Sequence, residues 1–372
     1  LPRSQPGKSL EERTLESSLA VTVTSYLRQA REMGASDLHL NAGTVPFARV
    51  EGELKRLPEG ELAPETAVTL AEEICRMGGA ELGLDVDFCI EHPELGRFRV
   101  NLFRQNHGRA ISLKCIPVEI PTLEGLGLPE TLHKLTRFRT GMVLCTGPAG
   151  CGKTSTLAAL LEEINATRHE HIVTIEDPIE YVFESKGCNV TQRQVGPHTD
   201  TFGNALRAAL REDPDIILVS ELRDVETIRT AVVAAETGHL VLGTLHTRSA
   251  TGTVTRLIDA FPVDEQEQVR TMIATSLRCV ISQRLLPRKG GGRRVPAYEI
   301  LMVTPAISKM IRDARTHQLP GQLQIGRRVG MIDMDTRLQE MLDAGLIEDG
   351  DARYHADNPR NFGAREGGID VL

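Results

Sequence analysis

Leu19, Val23, Tyr26, Leu27, Ala30 and Met33 recur at the three- and four-residue spacing of a helical face, and Gly34 follows them as a C-terminal cap. Four runs then carry short strand patterns: SDLHLNAG, PFARVEGELKRL, DVDFCIEHP and RFRVNLFRQNHGRAISLKCIP. In the last of them charged and apolar residues alternate with the period of a half-exposed antiparallel strand pair. Residues 18–116 therefore read as a small α+β domain preceded by a flexible tail over 1–17. Pro and Gly crowd PVEIPTLEGLGLPETL, residues 117–132, which reads as a linker.

Past the linker the pattern becomes strand, then helix, repeatedly. GMVLCTG predicts a strand and is followed by a helix through about Ile164; HIVTIEDP predicts a strand, TFGNALRAALRED a helix and DIILVSE a buried strand. DVETIRTAVVAAETG predicts a helix closing on glycine, HLVLGTLHT a strand, and Ala250 to Ser282 helices. Alternation of this kind implies a parallel sheet covered on both faces, placed over residues 133–304. Residues 305–355 read as helical but broken at Pro320 and Gly321, and residues 356–372 as a disordered tail.

Composition narrows the class. The 372 residues are 40% apolar and 3% aromatic, with no Trp, so the cores must be built from Leu, Ile, Val and Ala. A formal charge of -8 argues against a dedicated nucleic-acid binder. Seven cysteines, an odd count with no C-x-x-C pair, suit a reducing compartment rather than a disulfide framework or zinc ribbon. No window approaches about 18 consecutive apolar residues, so no transmembrane segment is expected. The first residues, LPRSQPGKSLEERTLESS, lack the apolar stretch of a secretory signal and read as a mobile or trimmed tail.

Candidate chemistry begins at GPAGCGKTSTLAAL. It fits G-x-x-x-x-G-K-[ST], a phosphate-binding loop, between a predicted strand and a predicted helix. Gly147, Pro148, Ala149, Gly150, Cys151, Gly152, Lys153, Thr154 and Ser155 are the candidate ATP contacts. Backbone N–H groups favour phosphate, Lys153 reaches the outer phosphates and Thr154 can hold Mg²⁺. The strand Ile216–Val219 leads to Ser220 and Glu221 where a Walker B strand would have Asp. Glu176, Asp177 and Glu180 end a neighbouring strand. Ligands of open α/β sheets bind beyond the carboxyl ends of the strands, so both acidic groups can face one nucleotide. His246 ends a third strand, and His239, at that strand's other end, is a candidate for a subunit contact.

In order and spacing, GPAGCGKTSTLAAL, TIEDPIEYV, ALRAALREDPDIILVSELRD and AETGHLVLGTLHT resemble the Walker A, Asp, Walker B and His boxes of the secretion ATPase superfamily. Within it, GASDLHL and THQLPGQLQIGRRVGM resemble the PilT-like type IV pilus retraction ATPases, and the likeness runs over about residues 18–345. The resemblance implies a RecA-like P-loop core, a smaller PAS-like α+β N-terminal domain and C-terminal helices. It further implies a cytoplasmic homohexamer at the inner membrane that hydrolyses ATP for pilus retraction. The implied partners are an inner-membrane platform protein (PilC-like) and, as a further possibility, a paralogous ATPase. Carried over by position, Glu221 is the Walker B acid and a metal ligand with Thr154, Glu176 the Asp-box acid, and His246 a site residue. The roles of Glu176 and Glu221 are exchangeable at this level. The resemblance also implies arginines donated by the neighbouring subunit's N-terminal domain, here Arg99 and Arg109, with Arg97 next.

Three positions depart from the family pattern: Ser220 stands where Gly is usual, Cys151 where Ser is usual, and Ser308 replaces an Arg in AISKMIRD. A helix N-terminus beside Cys151 would lower its thiol pKa. PRKGGGRR, residues 287–294, reads as a solvated hairpin tip. A related assembly or secretion ATPase, and a weakly active accessory hexamer of the PilU type, remain alternatives.

Overall fold

The computed structural model describes residues 22–362; the tail expected over 1–17, and residues 363–372, lie outside them. The chain divides between Val118 and Glu119 into two compact units.

In the first unit, helix α1 (Val23–Glu32) starts at Thr22, whose side chain accepts from the Ser25 N–H, and buries Val23, Tyr26, Leu27 and Ala30. Six strands follow: β1 (Asp37–Asn41), β2 (Phe47–Val50), β3 (Glu53–Arg56), β4 (Val86–His92), β5 (Gly96–Gln105) and β6 (Gly108–Cys115). They form an antiparallel sheet in the order β3-β2-β1-β6-β5-β4. A second helix, α2 (Pro64–Gly78), lies between β3 and β4 and packs on β4 and β6. It was not anticipated, although Ala67, Leu70, Ala71, Ile74 and Cys75 carry the helical period on its buried face.

The second unit holds a seven-stranded sheet of β7 (Gly141–Thr146), β8 (His171–Glu176), β9 (Asn189–Gln194), β10 (Ile216–Val219), β11 (Leu240–Leu245), β12 (Leu277–Leu286) and β13 (Val295–Met302). Their order is β13-β12-β7-β11-β10-β8-β9, parallel throughout except for the antiparallel edge strand β13. All six residues of β7 and of β11 are buried, as a sheet covered on both faces demands. Met142 and Leu144 enter one core with helices α4 (Phe202–Ala209), α5 (Val225–Glu236), α6 (Ala250–Asp259) and α7 (Gln266–Ser276). Val143 and Cys145 enter another on the opposite face, with helix α3 (Lys153–Thr167).

Four expectations are corrected here. The helical stretch over 250–282 ends at Ser276, because Leu277–Leu286 pairs with β7 and β13. Residues 119–132 are not a loose linker: Leu123, Leu128 and Leu132 are buried in the core of the second unit. Pro320 and Gly321 do not break a helix but lie in the first turn of one (Leu319–Ile325), where proline's missing N–H costs nothing. Residues 356–362 are not disordered, since Phe362 is buried against Met334, Leu338 and Met341 of a C-terminal helix (Met334–Asp343). The 287–294 run does connect β12 to β13 as an exposed hairpin loop.

Candidate active site

Register decides which side chains meet. Val219 of β10 pairs with Ile175 of β8 and Gly243 of β11, while Leu245 of β11 pairs with Thr146 of β7. The four central strands, β7-β11-β10-β8, therefore end on one side of the sheet, with β7 and β11 running two residues past the end of β10. Immediately past their ends come the 147–152 loop, His246 and Ser220–Glu221, while Glu176 is the last residue of β8. Ser220 does not shift the strand end, because its N–H still donates to the Ile175 carbonyl at 2.9 Å.

The loop at 147–152 turns with Gly147, Gly150 and Gly152 at φ +138°, +72° and +93°, left-handed conformations that favour glycine. At Gly147 there is also no room for a side chain, since a Cβ would lie 2.2 Å from the Gln283 carbonyl oxygen. Lys153 opens α3 and is buried, its Nζ donating to the carbonyls of Gly147 at 2.9 Å and Pro148 at 3.0 Å. His246 Nδ1 stands 3.4 Å from the same Nζ, and its Nε2 lies 3.2 Å from Glu221 Oε1. One imidazole thus spans the lysine and the acid. The tautomer that satisfies both contacts accepts at Nδ1 and donates from Nε2. Glu221 pairs in addition with Arg223 at 2.8 Å.

Glu176 differs from Glu221 in its surroundings. It is 3% exposed and accepts from Thr174 Oγ1 at 2.7 Å and Gln192 Nε2 at 3.0 Å. Burial pushes its carboxyl up to about 7, against the lowering pull of those hydrogen bonds. It borders a cavity of about 20 Å³ with Thr154, Ser220 and Thr244, walled by Leu157, Leu218 and Phe183. That volume suits a single water-sized group. A carboxyl poised near neutrality beside such a space can exchange a proton with a water molecule, as a general base must. Glu221, paired with Arg223 and linked to the lysine through His246, is the acid placed to act by charge.

Cys151 departs from the expectation. It is 3% exposed, and burial pushes its thiol up despite the lowering charge of Lys153, so the residue is a packed thiol and not a reactive one. Ser308 also has a local explanation: its hydroxyl donates to the Ala274 carbonyl of α7, so the side chain is engaged in helix packing. His239 hydrogen-bonds the Ala234 carbonyl within its own chain at 3.0 Å.

The arginines belong to the first unit. Arg97 pairs with Glu91 at 3.4 Å and Arg99 with Asp87 at 2.5 Å, both across the β4–β5 ladder. Arg109 does not lie on a solvated strand face: it is buried, and its guanidinium donates to the Gly83 carbonyl at 2.5 Å. Satisfied within its own core, it is badly placed to reach another subunit.

Sequence reasoning missed the residues that hold the site together. Thr174 and Gln192 fix the Glu176 carboxyl, and Gln283 of β12 backs the loop. Ser282 and Arg284, flanking Gln283, both donate to the Arg248 carbonyl two residues beyond His246, at 3.2 and 3.1 Å. Polar residues inside a strand give no sequence signal until the strand's neighbours are known.

The donor set also bears on a metal. Among the described residues no cluster of three or more His, Cys, Asp or Glu is arranged to hold an ion. Mg²⁺ keeps several waters and needs only one or two protein oxygens beside phosphate, so Thr154 and Glu221 fit it.

Residues 14–313 match the family described as Type II/IV secretion system protein. The chain is 47% identical over 343 residues to the type IV pilus retraction ATPase PilT of Pseudomonas aeruginosa, covering 91% of this chain and 99% of that protein. It is 43% identical over 349 residues to a twitching motility protein of Neisseria gonorrhoeae, covering 93% of each. Among solved structures, the pilus retraction motor PilT with bound ADP superposes with a TM-score of 0.80 at 42% identity, covering 92% of this chain and 99% of that one.

Proposed function

Because the chain belongs to the type II/IV secretion ATPase family, we infer that it is an ATP-hydrolysing motor that drives type IV pilus retraction and so twitching motility. The retraction reading rests on one observation above the others, the near end-to-end likeness to a retraction ATPase at 47% identity. The hydrolytic chemistry is supported by the convergence of Lys153, His246, Glu221 and Glu176 at four strand ends.

In this reading residues 147–155 cradle the phosphates, with Lys153 leaving the Gly147 and Pro148 carbonyls for the outer phosphates. Glu176 takes a proton from the attacking water. Thr154 and Glu221 would hold Mg²⁺, which when bound supplies charge neutralisation on the β- and γ-oxygens. His246 couples Lys153 to Glu221, so a change at the phosphates is felt at both. The chain works as a cytoplasmic homohexamer against an inner-membrane platform protein; no described helix is long and apolar enough to cross a membrane. Deletion of the gene tests the retraction role. Cells should carry excess surface pili and lose twitching, and cells with normal movement and pilus number would refute it.

We further propose that each site is completed in trans by Arg99, with Arg97 beside it. A γ-phosphate undergoing transfer develops charge that a second cation stabilises, by about 10³-fold or more where such arginines have been removed. Arg99 can exchange its partly exposed pairing with Asp87 for phosphate. Rings co-assembled from Lys153→Ala and Arg99→Ala subunits should recover part of the activity that each variant lacks alone. Verified mixed rings that stay inactive would overturn the shared site.

A further inference from the structure

Strand β12 runs beside β7 with Ser282 opposite Thr146, so the next residue, Gln283, stands beside the first glycine of the phosphate loop. The residue is 3% exposed, and both polar atoms of its amide are hydrogen-bonded. Oε1 accepts from Thr156 Oγ1 at 2.9 Å and from Cys145 Sγ at 3.3 Å, while Nε2 donates to the Cys151 carbonyl at 3.1 Å. These three partners lie on the P-loop helix, on the strand before the loop and on the loop itself.

The bond to Cys151 matters for a reason of peptide geometry. In a trans peptide the carbonyl of one residue and the N–H of the next point in opposite directions. Holding the Cys151 carbonyl against β12 therefore turns the Gly152 N–H away from β12. Gly152, at φ +93°, accepts that orientation, and a Cβ there would lie 3.1 Å from Gln283 Nε2. Without the bond, the 151–152 peptide can rotate and present its oxygen where an anion needs a donor.

We propose that Gln283 is a positioning residue for phosphate binding, acting through the Cys151 carbonyl to aim the Gly152 N–H at the nucleotide. The proposal rests on residues 147–155 being the phosphate loop, a reading tested separately by Lys153→Ala. Gln283→Met keeps the length of the side chain and removes the amide. Thr156→Val removes a contact of the same hub but leaves the bond to Cys151. Measured well below the melting temperature of both variants, Gln283→Met should weaken ADP binding about tenfold and raise the KM for ATP by a similar factor, with kcat changed less, the size of one lost hydrogen bond. Thr156→Val should bind ADP within about twofold of the wild type, since its loss falls on packing and not on the loop peptide. Should Gln283→Met not fold, Gln283→Leu removes the Nε2 donor without adding charge and carries the same expectation. Wild-type ADP affinity in the Gln283 variant, or equal losses in the Gln283 and Thr156 variants, would reduce Gln283 to a structural hub and overturn the proposal.

Discussion

Replacing Lys153 by Ala should reduce ATP turnover by about 10²-fold or more and weaken nucleotide binding with it, because the substitution removes the charge that faces the outer phosphates. The structure sharpens the expectation. Lys153 Nζ is held 2.9–3.0 Å from two loop carbonyls and 3.4 Å from His246, so its ammonium is at the centre of the site and not swinging in solvent. Removing it also frees His246, whose other nitrogen reaches Glu221. The fold should survive, since Pro148 is exposed and its carbonyl can take up water, which leaves only the buried Gly147 carbonyl without its lysine partner, at about 1–3 kcal/mol. ATPase assays and ADP titration check this against circular dichroism of the variant. A folded Lys153→Ala protein with wild-type turnover would remove residues 147–155 from the chemistry.

The two acids can be separated by pH. Glu176→Gln and Glu221→Gln should both retain ATP binding while losing turnover, by the about 10²- to 10⁴-fold that general-base removal costs at Glu176. Burial holds the Glu176 carboxyl near 7. If it is the base, kcat/KM of the wild type should climb as pH rises through about 7, and the residual activity of Glu176→Gln should lose that limb. Stability moves the opposite way. A folded-state pKa above that of an exposed carboxyl means the group's contribution is full at low pH and is lost as pH rises through about 7. The neutral amide escapes that loss. Relative to wild type, Glu176→Gln should therefore gain melting temperature between about pH 5 and about pH 8. A pH–rate limb that persists in Glu176→Gln would assign the base elsewhere, with Glu221 first in line.

What the sequence determined by itself was the set of local patterns that carry their own geometry. The G-x-x-x-x-G-K-[ST] spacing specified the loop because only glycine accepts the φ values its turns require, and Gly147, Gly150 and Gly152 adopt them. The apolar runs of β7, β10 and β11 specified buried strands, and their alternation with helices specified a parallel sheet. Four boxes in order were enough to place Glu176, Glu221 and His246 at strand ends. Tertiary structure decided what local periodicity could not. The stretch TSLRCVISQRLL satisfies a helical and a buried-strand pattern about equally, and pairing with β7 and β13 made it β12. With β12 unread, Gln283 had no address. Burial, a property of the folded neighbours and not of the residue, separated Glu176 from Glu221, turned Cys151 into an inert thiol and took Arg109 out of reach. The sequence named the groups that can do the chemistry, and register and desolvation decided which of them meet and in what charge state, because both depend on contacts far apart along the chain.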